Sequence, residues 1–459
     1  MADILPFRAL RYDLQRVSPA QVVTQPYDKI SPEIQERYYS ASPYNLVRII
    51  LGRHQPEDNT EHNVYTRAAE YFRDWRGLGI LRQDSAPSIY AYSERFTPPG
   101  GGQVQERQGF IALGRVEDYA AKVVYRHEQT LAKPKADRLD LLRATRAHFE
   151  LLFMLYEDKD EIDSLLSRAA TAPPSIEVTD EYGVVHRVWQ ISDAEFIDSV
   201  RNQMRDKKLV IADGHHRYET ALNYRDERRA TASPAGVSQA CPEQSRRVSP
   251  VLRDLGMPSH APYEFVVMTF VNLHSPGLLI LPTHRVVHSL TSFSADAFRD
   301  SASFYFDVEE VDPALDAARA ATMLHESGIG RTALLAVTPN RSFLLRTPQE
   351  QKAAAAQALS GLSPRQHGLD VVQLHKCLLE AVLKLSEESI RNQQNISYIR
   401  DAAEAIYQVR AGKANIAFLI NPCRVEQVRD IALAGEVMPQ KSTDFYPKLL
   451  SGLTTYALD

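Results

Sequence analysis

Apolar and polar positions along the chain alternate between the period of strands and the period of helices. Short runs rich in β-branched and aromatic residues predict strands at 88–96, 107–117, 183–192, 263–272 and 277–287. Apolar residues at helical spacing predict helices at 31–42 and 59–81, the first with Ser31 as its cap and Pro32 in its first turn. The mixture favours α+β or α/β structure over an all-α or all-β fold.

The pattern stops between residues 231 and 262, where prolines at 234, 242, 250 and 258 interrupt a stretch without an apolar period. We interpret this stretch as a disordered or mobile insertion, because lengthening a loop costs only about 0.6 kcal/mol per doubling. A chain of 459 residues is too long for one ordinary core. We therefore expect an N-terminal domain at 1–230, the insertion at 231–262 and a C-terminal α/β domain at 263–459.

The stretch "KLVIADGHHRYETAL" holds the clearest candidate chemistry. Its apolar residues up to Ala212 predict a strand and those from Tyr218 onward a helix, so Asp213, Gly214, His215 and His216 form the predicted turn. A glycine turn into a helix gathers backbone N–H groups and the positive end of the helix dipole at one point. The pattern therefore predicts an anion site.

The side chains of this turn suit a phosphate ligand. Arg217 offers a permanently charged, bidentate guanidinium, and His215 and His216 offer donors or a proton-transfer group near neutral pH. Asp213 would repel a phosphate unless it holds a metal ion such as Mg²⁺ or caps the helix. The ordinary alternative is a capped helix whose Asp213 accepts backbone N–H bonds while the histidines are solvated or bonded to carbonyls.

Other polar clusters add candidates. The stretch 123–150 is rich in charge, with His127, Glu128, Arg138 and Arg143 as candidate site residues. Glu128, beside basic groups, is of the type that serves as a general base or a metal ligand, although a solvated helix face explains single members equally well. Further candidates lie in a Pro-Tyr-Asp turn, in or before a predicted strand, within an apolar strand, and in the polar C-terminal segment: Asp28, Asn45, Arg48, His284, Arg285 and Lys441.

Composition narrows the classes of protein. The hydrophobic fraction of 44% and charged fraction of 24% are globular values, and the formal net charge of -5 argues against nucleic acid as a partner. Three scattered cysteines argue against a disulfide framework, and no run of eighteen apolar residues predicts a membrane span. We expect a cytoplasmic protein without a membrane partner, and the sequence leaves a homodimer open.

Several motifs resemble, in the same order, the bacterial and archaeal family known as domain of unknown function number 1015. They are "PFRALRYD", "VVTQPYDKIS", "PYNLVRI", "VIADGHHRYETAL", "PGLLILPTHRVV" and "MPQKSTDFYPKLLSGL". The likeness covers nearly the whole chain. It departs at the insertion and at "HFELLF", where a proline is expected at or near Glu150.

The turn "DGHHRYETA" is also similar to the phosphate-binding turn of the ParB and sulfiredoxin superfamily, which includes free-serine kinases. This resemblance implies a ParB/sulfiredoxin-like mixed sheet with helices in the N-terminal domain and an α+β chain as a whole. It also implies phosphate contacts from Gly214, His215, His216 and Arg217, with Asp213 near Mg²⁺ and Glu128 as the base.

The resulting hypothesis is an ATP- or ADP-dependent phosphotransferase acting on a small hydroxylated metabolite, with free serine or phosphoserine metabolism as its setting. Glu128, His216 and Asp213 would be catalytic. His127, Arg138, Arg143, His284, Arg285 and Lys441 would join the turn in binding phosphate or nucleotide, and Asp28, Asn45 and Arg48 would bind the substrate. Two alternatives remain, a nucleotide-binding regulator without catalysis and a ParB-like DNA-associated protein.

Overall fold

A computed structural model of the chain describes residues 1–130, 132–232 and 261–459. The predicted insertion at 231–262 lies almost entirely outside the described residues. The described chain divides into two compact units. Unit 1 comprises Met1–Tyr125, Thr130–Leu278 and Pro447–Asp459, and unit 2 comprises Arg126–Gln129 and Leu279–Tyr446.

Unit 1 is built around a mixed sheet that has nine strands within the described residues. Phe265–Asn272 pairs in parallel with Leu152–Tyr156 and antiparallel with Gln105–Arg115, which explains why this strand belongs to unit 1 and not to a domain beginning at 263. Ile4–Leu5 pairs with Gln105–Arg115. The other eight strands follow in the order Val124–Tyr125, Leu209–Asp213, Leu152–Tyr156, Phe265–Asn272, Gln105–Arg115, Ile89–Phe96, Val185–Ile191 and Ile176–Thr179.

Helices and two short strand pairs complete unit 1. Leu10–Tyr12 pairs with Leu81–Gln83, and Ala147–His148 pairs with Tyr456–Ala457. The predicted helix at 31–42 is confirmed, since Ser31 Oγ accepts a hydrogen bond from Ile34 N. The helices are Pro19–Val22, Pro32–Ala41, Val47–Ile50, Val64–Gly77, Ala132–Thr145, Glu161–Ala169, Ala194–Met204 and His215–Ala232.

Unit 2 has a six-stranded sheet in the described chain, and every neighbouring pair in it is antiparallel. The order is Asp307–Val311, Ser342–Arg346, Ala333–Val337, Ile416–Ile420, His284–Val287 and Ile396–Ile399. The prediction of a C-terminal α/β domain, a class built on parallel strands, is therefore wrong for this unit. Ala333–Val337 and Ser342–Arg346 form a direct hairpin without a crossover helix. The chain as a whole is α+β, as predicted.

Helices surround the sheet of unit 2. They are Ala295–Ala302, Ala317–Ser327, Ala353–Ala358, Pro364–His367, Asp370–Gln373, Glu387–Arg391, Ala402–Arg410 and Val425–Leu433, with a π-helix at Leu374–Val382. Leu279–Leu281 and Asp444–Tyr446 form a separate two-stranded pair. Val286, Leu335, Ala417 and Leu419 belong to the buried core of the unit.

Candidate functional site

The turn between the strand Leu209–Asp213 and the helix His215–Ala232 consists of Gly214 alone. Its φ of +96° lies in the left-handed region, where an L side chain is strained. A Cβ atom at this position would lie 2.8 Å from Leu152 Cδ2 and 3.1 Å from Arg217 Nη2. Both the backbone and the available space therefore require glycine. The four-residue turn predicted at 213–216 is wrong, because the two histidines already belong to the first helical turn.

Asp213 lies between two cations at the end of its strand. Its Oδ2 accepts a hydrogen bond from Nη2 of Arg217 at 2.8 Å, and its Oδ1 accepts one from Nζ of Lys448 at 3.3 Å. Nη1 of Arg217 donates to the carbonyl oxygen of Leu151 at 2.6 Å. The side chain of Arg217 is 11% exposed and that of Lys448 is 8% exposed. We call Asp213, Arg217 and Lys448 the Asp213 cluster.

The opposite charges in the Asp213 cluster stabilise one another. Burial acts to raise the pKa of Asp213, but the positive charges of Lys448, Arg217 and Lys29 outweigh it and hold that pKa well below its usual value. Burial acts to lower the pKa of Arg217, but the carboxylates of Glu150 and Asp213 outweigh it and raise the pKa. Asp213 and Arg217 are therefore both charged at neutral pH.

A second carboxylate lies close to the cluster. Glu150 is buried, and its Oε1 accepts a hydrogen bond from the backbone N–H of Tyr27 at 3.0 Å. Its Oε2 lies 3.6 Å from Nη1 of Arg138, whose guanidinium is 4.1 Å from the centre of the Tyr27 ring. A cavity of about 50 Å³, room for a few water-sized groups, is lined in part by Arg138, Glu150 and Arg217.

Three other predicted residues of unit 1 lie at this end of the strand. His215 is buried and His216 is half-buried, both in the first turn of the helix. Asp28 is exposed, and its charge contributes to the raised pKa of Arg217. The structure therefore groups Asp28, Arg138 and the two histidines with the residues of the predicted turn.

Asn45 and Arg48 instead hold the local backbone. The chain here forms the helix Val47–Ile50 and not the predicted strand, and just before the helix Oδ1 of the buried Asn45 accepts a hydrogen bond from Val47 N at 2.9 Å. Nη2 of Arg48 donates to the carbonyl oxygen of Tyr39 at 2.9 Å. These contacts give both side chains a structural role.

Arg143 also has a structural partner. Its Nε donates to Oε2 of Glu227 at 3.1 Å, and its Nη1 donates to Oδ1 of Asp140 at 2.7 Å. The three side chains are exposed, and the pair with Glu227 joins two helices of unit 1 at the surface, whereas the pair with Asp140 lies within one helix. The geometry accounts for Arg143 without a ligand.

The remaining predicted residues belong to unit 2, where Glu128 holds the segment Met438–Thr443. One oxygen, Oε1, accepts hydrogen bonds from Ser442 N at 3.0 Å, Thr443 N at 3.1 Å and Thr443 Oγ1 at 3.0 Å. The neighbouring His127 is buried, and its Nε2 lies 2.8 Å from Thr443 Oγ1. An oxygen with three donors has little capacity left to take a proton from a substrate hydroxyl.

His284, Arg285 and Lys441 lie in the same unit. Nδ1 of His284 accepts a hydrogen bond from Ile420 N at 3.3 Å, and burial, with the charge of Arg285, lowers the pKa of His284 to about 4. Arg285 is completely buried and donates to the carbonyl oxygens of Thr283, Gln440 and Lys441. The side chain of Lys441 is exposed.

Two residues of the site were absent from the predicted set. The predicted set contains Lys441 and not Lys448, although the segment "TDFYPKLLSGL" places Lys448 between apolar residues, which is a signal of burial. Glu150 stood out only as a departure from an expected proline. A carboxylate in the apolar run "HFELLF" is a usable signal, because a buried carboxylate needs a cation or donor nearby.

The described residues contain no group of three or more metal-ligating side chains. Both oxygens of Asp213 already accept hydrogen bonds from cations, so this part of the chain does not by itself form a cage for Mg²⁺. In the part of the chain that the structure describes, no helix combines the length and apolar character needed to cross a bilayer.

The chain matches the model of one protein family and resembles several solved structures. The family model described as "Protein of unknown function (DUF1015)" matches residues 4–372. No curated protein matches the chain significantly. Similar solved structures include a free serine kinase in complex with AMP, at 12% identity and a TM-score of 0.33 over 70% of this chain and 83% of that one. A variant of that kinase with ADP has 11% identity and a TM-score of 0.33, covering 70% and 84% of the two chains. A conserved hypothetical protein from Pyrococcus furiosus has 11% identity and a TM-score of 0.32, covering 70% and 87%.

Proposed function

The chain belongs to the DUF1015 family, and from the geometry of its site we propose that it is a nucleotide-dependent phosphotransferase acting on a small hydroxylated metabolite. The Asp213 cluster is the phosphoryl site of this proposal. The single observation that carries it is the position of two largely buried cations, Arg217 and Lys448, on either side of one carboxylate at the start of a long helix.

This arrangement suits a phosphoryl group for electrostatic reasons. A guanidinium and an ammonium that are largely removed from water attract an anion more strongly than exposed cations do. The N-terminal turn of the helix His215–Ala232 adds backbone N–H donors and partial positive charge. Asp213 keeps both cations in place and neutralises one of them, which holds the site together between turnovers.

Phosphoryl transfer depends mainly on positioning and charge neutralisation, which is what this chain's residues supply. In the proposal Arg217 and Lys448 bind the transferred group. His216, half-buried in the first helical turn, donates to an oxygen of the group or moves a proton. Glu128, in unit 2, orders the segment Met438–Thr443 through the three hydrogen bonds that its Oε1 accepts from Ser442 and Thr443.

The finer parts of the proposal concern ligands and setting. The donor is ATP or ADP, the acceptor is free serine or a similar hydroxylated metabolite, and unit 1 is a ParB/sulfiredoxin-like nucleotide-binding domain. Mg²⁺ would be held mainly by nucleotide oxygens, since the side chains around Asp213 do not form a cage for it. A cytoplasmic location and a homodimer complete the proposal.

The test is a turnover assay of the full chain with ATP or ADP, MgCl₂ and L-serine, in which mass spectrometry detects phosphoserine and chromatography follows the nucleotide. Lys448→Met removes one phosphate-binding cation and is expected to lower kcat/KM by about 10- to 100-fold. Lys159→Met, at an exposed lysine of the same unit, is the matched control and should retain full activity.

The outcomes separate the functions. Phosphoserine formation that depends on Lys448 supports the proposal. Tight nucleotide binding without any turnover would instead indicate a non-catalytic nucleotide-binding regulator. Absence of both binding and turnover, or full activity in Lys448→Met, would reject the phosphoryl site at the Asp213 cluster.

A further inference from the structure

Unit 2 contains a cleft of about 1280 Å³ that the proposed phosphoryl site does not use. Its lining includes Thr332, which precedes the strand Ala333–Val337, and Asn421, which follows the neighbouring strand Ile416–Ile420. The cleft therefore lies at one end of the antiparallel sheet of unit 2. We call it the Asp370 cleft, after a carboxylate on its wall. Its volume is ample for a small molecule.

One carboxylate and three strong cations line the Asp370 cleft. The cations are Arg331, Lys352 and Arg424. Nζ of Lys352 already lies 3.2 Å from a carboxylate oxygen of Asp307. Arg331 and Arg424, in contrast, form no ion pair with any residue that the structure describes. The wall thus carries both signs of charge, and neither sign is neutralised by a direct pair within the cleft.

Asp370 itself is a half-buried residue at the start of the helix Asp370–Gln373. The side chains of Thr332 and Asn421 and the backbone N–H of Ala333 act on its carboxylate as hydrogen-bond donors. Burial nevertheless raises the pKa of Asp370 to about 6, and within the described chain no cation forms an ion pair with it. Three donors leave part of the capacity of two carboxylate oxygens free, so this negative charge is available to a cationic group in the cleft.

The fold holds the neighbours of Asp370 in place. Nδ2 of Asn421 donates to the carbonyl oxygen of Leu324 at 3.0 Å, in the last turn of the helix Ala317–Ser327. Gly328 makes room for this contact, since a Cβ atom there would lie 2.5 Å from Nδ2 of Asn421. The carboxylate is therefore presented to the cleft by a rigid frame, which is the condition for a precise binding site.

Arg424 lies near Asp370 without pairing with it. Its backbone N–H donates to Oε1 of Gln427 at 2.9 Å, and Nε2 of Gln427 donates to the carbonyl oxygen of Gly368, two residues before Asp370, at 3.2 Å. The charge of Arg424 acts to lower the pKa of Asp370, so the two groups are within electrostatic range of each other. The helix Val425–Leu433 begins beside Arg424 and adds partial positive charge.

These charges select the class of ligand. A simple anion would be repelled by Asp370, and a simple cation would be repelled by Arg331 and Arg424. A molecule that carries an ammonium group and a carboxylate matches both signs at once. The wall also contains four glutamines, which suit a hydrophilic ligand: Gln349, Gln351, Gln373 and Gln427.

We propose that unit 2 binds a small amino acid in the Asp370 cleft, with its ammonium group donating to the carboxylate of Asp370 and its own carboxylate accepting hydrogen bonds from the guanidinium of Arg424. A guanidinium suits this role because its planar fork can donate to both oxygens of a carboxylate. The site lies within unit 2, and the inference does not depend on the proposed phosphotransferase activity.

Isothermal titration of the full chain without nucleotide tests the inference separately from turnover. The ligands are L-alanine, 4-aminobutyrate and 6-aminohexanoate, whose increasing lengths vary the distance between ammonium and carboxylate. At least one of them is expected to bind. Butyrate and butylamine, which carry one charge each, are expected to bind at least about tenfold more weakly than that amino acid, because each lacks one charge-assisted hydrogen bond.

Two variants separate ligand binding from structure. Asp370→Asn keeps the shape of the side chain and removes its charge, so amino-acid binding should weaken at least about tenfold. Since the folded-state pKa of Asp370 is raised, its charge destabilises the fold above about pH 6, and the variant should melt at or above the native temperature at neutral pH. Arg424→Met, at an exposed residue, should weaken binding by about fivefold or more without lowering the melting temperature.

The matched control is Asp430→Asn, which makes the same change at an exposed residue of unit 2 that does not line the cleft. It should bind the amino acid as the native chain does. Absence of binding by all three amino acids overturns the proposal, as does unchanged binding in Asp370→Asn. A loss of binding in Asp370→Asn together with a lower melting temperature would give Asp370 a structural role instead. Butylamine binding as tight as that of the amino acid overturns the role of Arg424.

Discussion

At the scale of single residues, Asp213 joins groups that are far apart in the chain. Its two oxygens accept hydrogen bonds from Arg217, four residues later, and from Lys448, more than two hundred residues later. Two largely buried cations without this carboxylate would repel each other in a region of low dielectric constant. Asp213 is therefore needed for the stability of unit 1 as well as for the proposed function.

Asp213→Asn tests this role through its pH dependence. At pH 7 the variant is expected to be less stable by about 3 kcal/mol, because two largely buried cations lose their counter-charge. The folded-state pKa of Asp213 is lowered, so its stabilisation is complete above the unfolded-state pKa of about 4 and is lost as pH falls toward the folded-state pKa. Urea unfolding should show a constant difference from pH 6 to 8 that narrows below about pH 4. A difference unchanged at pH 3 would contradict the argument.

Gly214→Ala tests the turn. The variant combines a positive φ with a Cβ placed 2.8 Å from Leu152 Cδ2, so we expect a loss of about 2–4 kcal/mol in the free energy of unfolding. Gly183→Ala is the control, because Gly183 has a φ of +78° but no atom within 4 Å of the added Cβ. This control variant should lose only the contribution of the positive φ to the free energy of unfolding, about 1–2 kcal/mol. Equal losses in denaturant titrations would show that packing at Gly214 is unimportant.

At the scale of elements, the start of a helix decides which side chains reach the site. The helix begins at His215, directly after Gly214, so His215 and His216 take successive helical positions about 100° apart. One imidazole is buried and the other is half-buried. A longer turn, as the sequence pattern predicted, would have left both side chains in a loop.

Glu128 organises another element, the segment Met438–Thr443. Glu128→Ala removes the acceptor of three hydrogen bonds and is expected to cost about 2–3 kcal/mol, whereas Glu128→Gln retains a carbonyl oxygen and should cost less than about 1 kcal/mol. Amide hydrogen exchange at Ser442 and Thr443 measures directly whether these hydrogen bonds are retained. Protection should fall in the alanine variant and remain in the glutamine variant.

The same pair of variants separates structure from catalysis. If Glu128→Gln kept the protection of Ser442 and Thr443 but abolished turnover, the carboxylate would be the base predicted from the sequence. Retained turnover in Glu128→Gln supports the positioning role that the three hydrogen bonds indicate.

At the scale of the whole molecule, the chain leaves unit 1 and returns to it. Residues 447–459 belong to unit 1, where Thr455 bonds to Leu10, Ser451 to Thr24, and Tyr456–Ala457 to Ala147–His148. This return places Lys448 beside Asp213. The final segment is therefore part of both the core and the candidate site of unit 1.

Truncation after Tyr446 tests the dependence of unit 1 on this segment. Leu450 and Leu453 are completely or almost completely buried, and each contributes about 1.5–3 kcal/mol, so the truncated chain should lose at least about 3 kcal/mol of stability. Deletion of Asp459 alone removes an exposed residue and should change little. Circular dichroism melting compares the two. Coincident melting curves for the truncated and native chains would contradict the assignment of 447–459 to the core of unit 1.

Local sequence determined the features that depend on neighbours in the chain. The Ser31 cap, the Gly214 turn and the alternating strands and helices follow from propensity, sterics and apolar period, and all are present. The α+β class was predictable for the same reason, and the family was predictable from the resemblance of its motifs. The prediction of an α/β domain for unit 2 is wrong because strand–helix alternation does not specify whether neighbouring strands run parallel.

The tertiary structure alone decided which distant residues meet. Lys448 donates a hydrogen bond to Asp213, and Glu128 accepts hydrogen bonds from Ser442 and Thr443. The strand Phe265–Asn272 pairs within the sheet of unit 1. No local pattern encodes such pairings, because they depend on how strands order themselves in a sheet and on which buried charges find a partner. The predicted set therefore contains Asp213 and Arg217, which the structure joins by a hydrogen bond, and omits the lysine that the fold brings to them.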